Sequence, residues 1–277
     1  MKAFYLSILV IFSLLFSSCK KKSDTSEKII NPEVKTSNLI SKITSSDPYG
    51  YFNEVTFDYN SENQITKINS PHEWGLSYCK MQYNNENRLT QYLVCSETEI
   101  PKKVNFDYKE GITNITVKEK YNIESEITYV FELDNNNMPS LITEKRIFEG
   151  NCIKKIHYKI NCEGKNITRI EKDLEYGKKI WTITYDNHRN FLLDIRGDNY
   201  LFFYDEDIFN NWFPSENNIT SIRTENIIPE KSRNYSETKK FIYTYDKQGD
   251  PRTVKTGILA KDGQTLKNEI NWEIDYK

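Results

Sequence analysis

The stretch Tyr59-Asn60-Ser61-Glu62-Asn63-Gln64-Ile65-Thr66-Lys67-Ile68 carries the pattern that decides the fold. It returns as Tyr83-Asn84-Asn85-Glu86-Asn87-Arg88-Leu89-Thr90-Gln91-Tyr92. Related frames begin at Tyr108, Leu133, Ile160, Tyr185, Phe213 and Tyr245, so that successive starts are 24 to 32 residues apart. Self-similarity at such a period indicates one supersecondary unit that is used many times.

Each frame contains the residues of a tight turn. Asn60 and Asn84 follow the aromatic residue, and an Asn or Asp side chain there bonds the backbone two residues later. Asn63 and Asn87 tolerate the left-handed conformation that ends a type I turn with a bulge. Other frames place Asn137, Asn217 and Gly249 at this position. The pattern therefore predicts eight hairpins.

The residues around each turn alternate with period two. Val55, Phe57 and Tyr59 interleave with polar residues, and the same alternation recurs at 103–108, 126–133 and 270–276. Strict alternation is typical of antiparallel strands with one buried and one hydrated face. The sequence therefore predicts an all-β protein, with only a short helical turn near 205–213.

The hairpins imply an antiparallel meander of about 16 to 18 strands. A leading strand is expected near 39–45 and a trailing strand near 266–276. An open sheet of this width would leave two bare edges, whereas the first and last strands have the correct directions to pair. We expect a strongly curved or barrel-like sheet with its aromatic face inside.

The N-terminus has the order of a signal peptide. Lys2 precedes an apolar run from Phe4 to Phe16, which is too short to span a membrane as a helix. Leu15-Phe16-Ser17-Ser18-Cys19 resembles the bacterial lipobox, although Phe16 stands where Leu is usual. The resemblance implies a signal peptide at 1–18, a lipidated (palmitate-bearing) Cys19, and a protein anchored by lipid to the outer membrane. Residues 19–34 are interpreted as a flexible tether and 35–277 as a single all-β repeat domain.

Composition disfavours several classes of function. The net charge is -2 and no basic stripe occurs in the sequence, so nucleic acid is not an expected partner. His72, His157 and His188 lack metal-ligand spacing, and no nucleophile elbow or zinc-type cysteine pair is present. Asp205-Glu206-Asp207 lacks the order of a calcium loop. We therefore expect no enzyme activity, no metal and no cofactor.

Four cysteines follow Cys19. Cys79 and Cys95 lie on the two arms of one predicted hairpin, so they are candidates for a disulfide, with buried thiols as the alternative. Cys152 and Cys162 flank one predicted strand and are too far apart to pair with each other.

The tryptophans supply the candidate ligand contacts. Trp181 and Trp272 alternate with polar residues inside predicted strands and are assigned to the core. Trp74 and Trp212 lie in loop-like segments, where an exposed indole stacks on a sugar ring. The sequence therefore predicts Trp74 and Trp212 as ligand-binding residues.

Two resemblances bear on the fold. The frame from Phe241 to Pro251, Phe-Ile-Tyr-Thr-Tyr-Asp-Lys-Gln-Gly-Asp-Pro, resembles the tyrosine-aspartate repeats of Rhs-type proteins. Together with the lipobox and the size, residues 35–277 resemble a family of Gram-negative lipoproteins described as a domain of unknown function with a porin-like fold. This resemblance implies a large curved antiparallel sheet and no catalytic residue.

Three functional hypotheses follow. The first is a lipid-anchored cell-envelope protein that binds a glycan, another ligand or a protein partner. The second is a structural shell or scaffold of the Rhs type. The third is an outer-membrane pore, which is disfavoured because aromatic residues occupy the strand middles rather than only two girdles.

Overall fold

The computed structural model describes residues 39–46, 52–72, 75–96, 102–108, 114–120, 125–135, 138–191, 215–228 and 234–277. These residues form 16 strands. The first eight are β1 (Ile40–Ser46), β2 (Phe52–Tyr59), β3 (Ile65–His72), β4 (Gly75–Tyr83), β5 (Leu89–Ser96), β6 (Lys102–Tyr108), β7 (Asn114–Lys120) and β8 (Ser125–Leu133). The others are β9 (Pro139–Phe148), β10 (Asn151–Glu163), β11 (Asn166–Leu174), β12 (Gly177–Arg189), β13 (Asn217–Ile227), β14 (Tyr235–Tyr245), β15 (Pro251–Leu259) and β16 (Leu266–Tyr276).

The strands form one closed antiparallel barrel in which each strand pairs with its neighbours in sequence. This confirms the predicted all-β meander and its strand number. The described part of the chain contains no helix long and apolar enough to cross a membrane. The predicted helical turn near 205–213 lies outside the described residues.

Pairing of β1 with β16 closes the barrel. Ile43 is opposite Ile274, and Ser41 Oγ donates a 3.1 Å hydrogen bond to the carbonyl oxygen of Asp275, 234 residues away in sequence. Lys42 Nζ lies 3.6 Å from the Glu54 carboxylate and 3.4 Å from that of Asp275. The charge of Lys42 is thus shared between the strands on its two sides. The sheet formed by the 16 described strands has no open edge.

The turns have the predicted chemistry. Asn60 Oδ1 accepts hydrogen bonds from the backbone nitrogens of Glu62 at 3.0 Å and Gln64 at 2.9 Å, and Asn63 has a φ of 61°. The same arrangement recurs at Asn84 with Asn87 and at Asp246 with Gly249. These turns, at 60–64, 84–88 and 246–250, lie at one end of the barrel, which we call the turn rim. The opposite end carries the connections at 149–150, 175–176 and 260–265 and is called the far rim.

One predicted hairpin pair is wrong. The frames at Tyr185 and Phe213 belong to a single connection between β12 and β13, so the barrel has seven hairpins at the turn rim instead of eight. Asn217 lies in β13 without a left-handed backbone. Its backbone nitrogen donates to Asn166 Oδ1 at 3.1 Å and its side chain donates to the His188 carbonyl at 3.1 Å. Asn217 thus ties three neighbouring strands together.

The frame tyrosines fasten the turn rim. The Tyr59 hydroxyl donates to the Ile40 carbonyl at 2.8 Å, and the Tyr83 hydroxyl donates to the Ile65 carbonyl at 2.8 Å. Tyr185 and Tyr276 make equivalent bonds to Ile167 and Pro251. Each bond joins the end of an even-numbered strand to the start of the preceding strand.

The inner face of the barrel holds the core. Trp181 and Ile142 are 0% exposed and Phe131 is 1% exposed, so the aromatic face lies inside, as predicted. The assignment of Trp181 and Trp272 to the core is confirmed. The outer face carries exposed charged side chains on ten strands: Asp58, Lys80, Lys103, Asp107, Glu132, Lys159, Asp173, Lys178, Arg223, Lys255, Glu273 and Asp275.

Candidate functional site

The apolar inner face is interrupted by charged residues near the far rim. Four basic side chains, which we call the basic collar, occupy inward positions on β9, β11, β12 and β14: Arg146, Lys172, Lys179 and Lys239. Strand side chains two positions apart share a face. Lys172 follows Ile170 by two residues, and Lys179 precedes Trp181 by two, and both apolar residues are 0% exposed. The collar is therefore part of the inner wall.

A buried carboxylate orients Arg146. Arg146 Nε donates a 2.7 Å hydrogen bond to Glu144 Oε1, and Tyr158 donates a 2.6 Å hydrogen bond to Glu144 Oε2. Glu144 is only 2% exposed, whereas the Arg146 side chain is 48% exposed. The hydrogen bond to Glu144 raises the pKa of Arg146 above its usual value. The guanidinium is therefore a fixed and permanent cation on the inner wall near the far rim.

The three collar lysines lie over aromatic rings. Lys172 Nζ is 5.4 Å from the centroid of Tyr158. Lys179 Nζ is 5.0 Å from the centroid of Trp181, and Lys239 Nζ is 5.6 Å from that of Phe241. An aromatic face attracts an ammonium group through its quadrupole but carries no net charge. Each of the three lysines thus has an aromatic ring within the range of a cation–π contact.

Lys239 is partly buried on the inner face of β14. Desolvation lowers the pKa of Lys239 to about 8, although the nearby Glu237 carboxylate acts in the opposite direction. Loss of water is the larger effect because the charged form of a lysine is disfavoured in a dry environment. An added negative charge near Lys239 would favour its protonated form.

Positive charge dominates this part of the inner wall. Among the described residues of β8 to β14, the inward ionisable side chains near the far rim are basic at Arg146, Lys154, Lys172, Lys179 and Lys239, and acidic at Glu144 and Glu237. The whole chain, in contrast, has a net charge of -2. The excess of basic groups is therefore local.

Exposed apolar side chains surround the collar at its outer side. Phe148 and Leu174 each follow a charged inward residue by two positions at the ends of β9 and β11, and they are 42% and 39% exposed. Tyr235 begins β14 and is 49% exposed. From the far rim inward, the wall thus passes from apolar and accessible, to basic, to apolar and packed.

A comparison with solved structures identifies the fold. A porin-like protein from Bacteroides uniformis aligns with 86% of this chain and 98% of its own chain, with a TM-score of 0.56 and 14% sequence identity. The chain has a porin-like fold. A second porin-like protein, from Bacteroides vulgatus, aligns with 87% of this chain and 99% of its own, with a TM-score of 0.44 and 12% identity. No known protein family and no curated protein matches the sequence. The porin-like fold expected from the sequence is thus confirmed, whereas membership of the lipoprotein family and kinship with Rhs-type repeats remain predictions.

Three of the predicted site residues lie outside the described residues. These are Cys19, the predicted lipidation site, and the two predicted ligand contacts, Trp74 and Trp212. The acidic cluster at 205–207 lies outside them as well.

The predicted disulfide between Cys79 and Cys95 is not formed. Cys79 is opposite Val94, while Cys95 is opposite Tyr78. Neighbouring positions of a strand pair point to opposite faces, so Cys79 is 0% exposed inside the barrel and Cys95 lies on the other face. The two cysteines do lie on one hairpin, as predicted. A disulfide would require them to be directly opposite each other, and the register of β4 and β5 is offset from that arrangement by one residue.

Where the structure describes them, the other sulfur and imidazole groups do not assemble a metal site. Burial raises the pKa of Cys162 to about 11, which keeps this thiol protonated at neutral pH. His157 Nδ1 is 3.2 Å from the Thr143 hydroxyl. Within the described ranges, no group of three or more His, Cys, Asp or Glu side chains is arranged to hold a metal ion.

A second polar cluster lies at the turn rim. The His188 ring stacks on Tyr245 with centroids 3.9 Å apart, and the Tyr245 hydroxyl donates to the Asp186 carboxylate. Asn218 Nδ2 donates to the same hydroxyl at 3.2 Å. Burial and the Asp186 carboxylate raise the pKa of Tyr245. These contacts fasten β14 to β12 and β13 beside the base of a long connection, so the cluster has a structural explanation.

The basic collar did not emerge from the sequence analysis, because no motif or regular spacing marks its residues. The signal was present in the alternation itself. In Ile170-Glu171-Lys172-Asp173-Leu174 the inward positions are Ile, Lys and Leu, so one charged residue has the parity of the core. The same violation occurs at Lys179 and Lys239, each two residues before a buried aromatic residue.

Proposed function

We propose that this protein is a lipid-anchored protein of the cell envelope that binds a ligand at the inner face of its far rim. The observation that carries the proposal is the division of the inner wall into a packed apolar core and, near the far rim, a group of basic side chains bordered by exposed apolar residues. Binding, and not catalysis, is the activity that this arrangement supports best.

The polarity of the wall argues against a membrane pore. Transmembrane barrels present an apolar outer band to lipid and a polar interior. Here exposed lysines, aspartates and glutamates alternate along the outer face, for example at Lys80, Lys159 and Glu273, while the interior is largely apolar. Charged side chains at the middle of a lipid-facing strand would cost several kcal/mol, roughly 2–4 each for Lys and Arg.

The packed core argues against a shell that encloses a second chain. Phe131, Ile142 and Trp181 have at most 1% of their surface exposed, so the protein's own side chains fill the space between them. A protein partner would therefore bind at a rim of the barrel and not inside it.

Attachment to the membrane is assigned to Cys19. The lipobox-like segment from Leu15 to Cys19 and the polar stretch that follows support a lipidated N-terminus, with the barrel held at a distance by residues 19–34. A lipid anchor and a hydrated barrel wall are mutually consistent, because the barrel then needs no apolar surface of its own.

Two measurements test the proposal. Metabolic labelling with an alkyne-bearing fatty acid should label the full chain and not the Cys19→Ser variant. A variant that lacks residues 1–19 should remain soluble without detergent and retain a β-type circular dichroism spectrum. Recovery of that variant only in detergent would instead support a membrane-embedded barrel and defeat the proposal.

A further inference from the structure

We infer that the far rim is a docking surface for a second copy of this chain. The contact is end to end, through apolar side chains that are exposed at the rim and through unpaired charges of both signs beside them. The inference goes beyond the proposed function and depends neither on the basic collar nor on the lipid anchor.

The exposed apolar side chains of the barrel gather at one end. Among the described residues, seven large apolar side chains are exposed by 39% or more, and six of them lie at the far rim. The six, which we call the rim patch, are Phe148, Ile153, Leu174, Tyr176, Ile227 and Tyr235. Single exposed apolar residues are normal on a protein surface, whereas a cluster of them marks a site of interaction.

The rim patch covers the ends of neighbouring strands. Phe148, Leu174 and Ile227 are the last residues of β9, β11 and β13, and Tyr235 is the first residue of β14. The strands from β9 to β14 are consecutive neighbours in the barrel, and at a spacing of about 4.8 Å they make the patch about 24 Å wide. Each partner of a stable complex contributes about 800 Å², which corresponds to a surface of roughly this width.

Unpaired charges of both signs lie beside the rim patch. Among the described residues, no ion pair joins any of four exposed side chains: Glu149, Glu175, Lys154 and Lys155. The neighbouring Lys178, in contrast, lies 3.7 Å from the Asp173 carboxylate. The rim thus offers two acidic and two basic groups to a partner.

The mixed charges favour a second copy as the occupant. A twofold contact brings a surface against itself, so a surface with one sign of charge repels its copy. Here the two glutamates of one copy can face the two lysines of the other, while the apolar side chains of both copies are removed from water. An anionic lipid surface would meet Glu149 and Glu175, which lie in the turns at the tip of the rim, with the wrong charge.

The test uses two full-length chains that carry different affinity tags and are expressed together in one cell. Membranes are solubilised in a mild detergent, one chain is isolated by its tag, and the recovery of the other chain is measured. The wild-type pair should be recovered together.

One pair of variants tests the apolar contact. Ile153→Asp in both chains should lower the recovery about tenfold or more, because a charge then has to be buried in the interface. The matched control is Ile242→Asp, which changes an apolar residue that is 53% exposed on the outer face of β14, and it should leave the recovery unchanged.

Charge reversal tests the arrangement of the rim directly. One variant chain carries Lys154→Glu and Lys155→Glu, and the other carries Glu149→Lys and Glu175→Lys. Each variant paired with itself has four like charges at the rim, and its recovery should fall about tenfold or more. The mixed pair restores opposite charges and should be recovered as well as the wild-type pair. It also controls for folding, since it contains the same two variant chains.

Three results would overturn the inference. The first is no joint recovery of the wild-type pair. The second is equal recovery of all pairs, which would mean that a shared detergent micelle joins the chains. The third is a mixed pair recovered no better than the like-charged pairs, which would indicate that a lipid surface or a different protein covers the rim. If a charge-reversed chain does not accumulate, the comparison of Ile153→Asp with Ile242→Asp decides alone, and none of these outcomes affects the labelling and solubility tests of the proposed function.

Discussion

The Tyr158 hydroxyl donates a 2.6 Å hydrogen bond to the carboxylate of Glu144, a side chain that is only 2% exposed inside the barrel. Arg146 donates to the second oxygen at 2.7 Å. A buried carboxylate is tolerated when its charge is paired and its oxygens are hydrogen-bonded, and both conditions are met here. The pair also explains how a cation is held on the inner wall next to the packed apolar core.

Removal of the Tyr158 hydroxyl should be costly. Tyr158→Phe leaves one oxygen of a buried carboxylate without its donor, and we expect the free energy of unfolding to fall by about 2 kcal/mol. Tyr59→Phe is the matched control, since the Tyr59 hydroxyl donates to a neutral carbonyl at 2.8 Å. That change should cost about 1 kcal/mol in urea denaturation. A smaller loss for Tyr158→Phe than for Tyr59→Phe would contradict the assigned role of Glu144.

Gly177 should tolerate no side chain. Its φ is +136°, and an added Cβ would lie 2.1 Å from the Ile227 carbonyl oxygen, where β12 and β13 meet at the far rim. We expect Gly177→Ala to lower stability by about 3 kcal/mol or more, because backbone has to shift. Gly150 has a φ of +77° and no atom within 4 Å of an added Cβ. Gly150→Ala should therefore lower stability only by the backbone strain, about 1 kcal/mol. If Gly177→Ala and Gly150→Ala have equal midpoints in thermal unfolding, the steric argument is wrong.

Lys239 should make stability depend on pH. Its pKa is lowered to about 8 in the folded barrel by burial, whereas an unfolded lysine titrates near ~10.4. Between these values the unfolded chain binds more protons, so this group makes the free energy of unfolding rise as pH increases from about 8 to about 10. The free energy of unfolding should rise by about 2 kcal/mol over this pH range, and Lys239→Met should abolish the increase.

The pH experiment compares chemical denaturation at pH 7 and pH 10. Lys240→Met is the matched control, because Lys240 is the next residue along β14 and points to the opposite face. If both variants respond to pH like the wild type, the burial of Lys239 is not linked to stability.

In the Asn turns, replacement of the first Asn by Ala should lower the free energy of unfolding, whereas replacement of the residue that follows it should not. Asn60→Ala removes an acceptor for two backbone nitrogens, at 3.0 and 2.9 Å, and should cost about 1 kcal/mol. Asn85 is exposed in the equivalent turn of the next repeat, and Asn85→Ala should stay within about 0.5 kcal/mol of the wild type. If the two variants unfold at the same urea concentration, the Asn60 side chain does not stabilise its turn.

Turn chemistry was readable from the sequence because it is local. Asn60, Asn63 and Asn87 act on backbone groups within a few residues, so their neighbours in sequence are also their partners in space. The error at Asn217 has the same origin. An Asn side chain in a turn and an Asn side chain that ties strands together look alike in sequence, and the partners of Asn217 lie 51 and 29 residues away.

The charged inner positions follow from the alternation of strand residues, but no local motif marks them. Lys172 and Lys179 have the parity of Ile170 and Trp181, and that fact alone predicts inward side chains. Only the register of β11 and β12 shows that the two lysines are directly opposite. The Cys79 and Cys95 pair failed for the complementary reason, since one residue of register separates a disulfide geometry from two thiols on opposite faces.

The sequence by itself determined the strands, most of their turns and the side of the sheet that is buried, because periodicity of two and Asx turns involve contacts between near neighbours. Tertiary structure alone decided that Ile43 pairs with Ile274 and that Arg146, Lys172 and Lys179 share one inner rim. Those contacts depend on the register of each strand pair and on closure of the whole sheet, and no short segment contains the information that sets them.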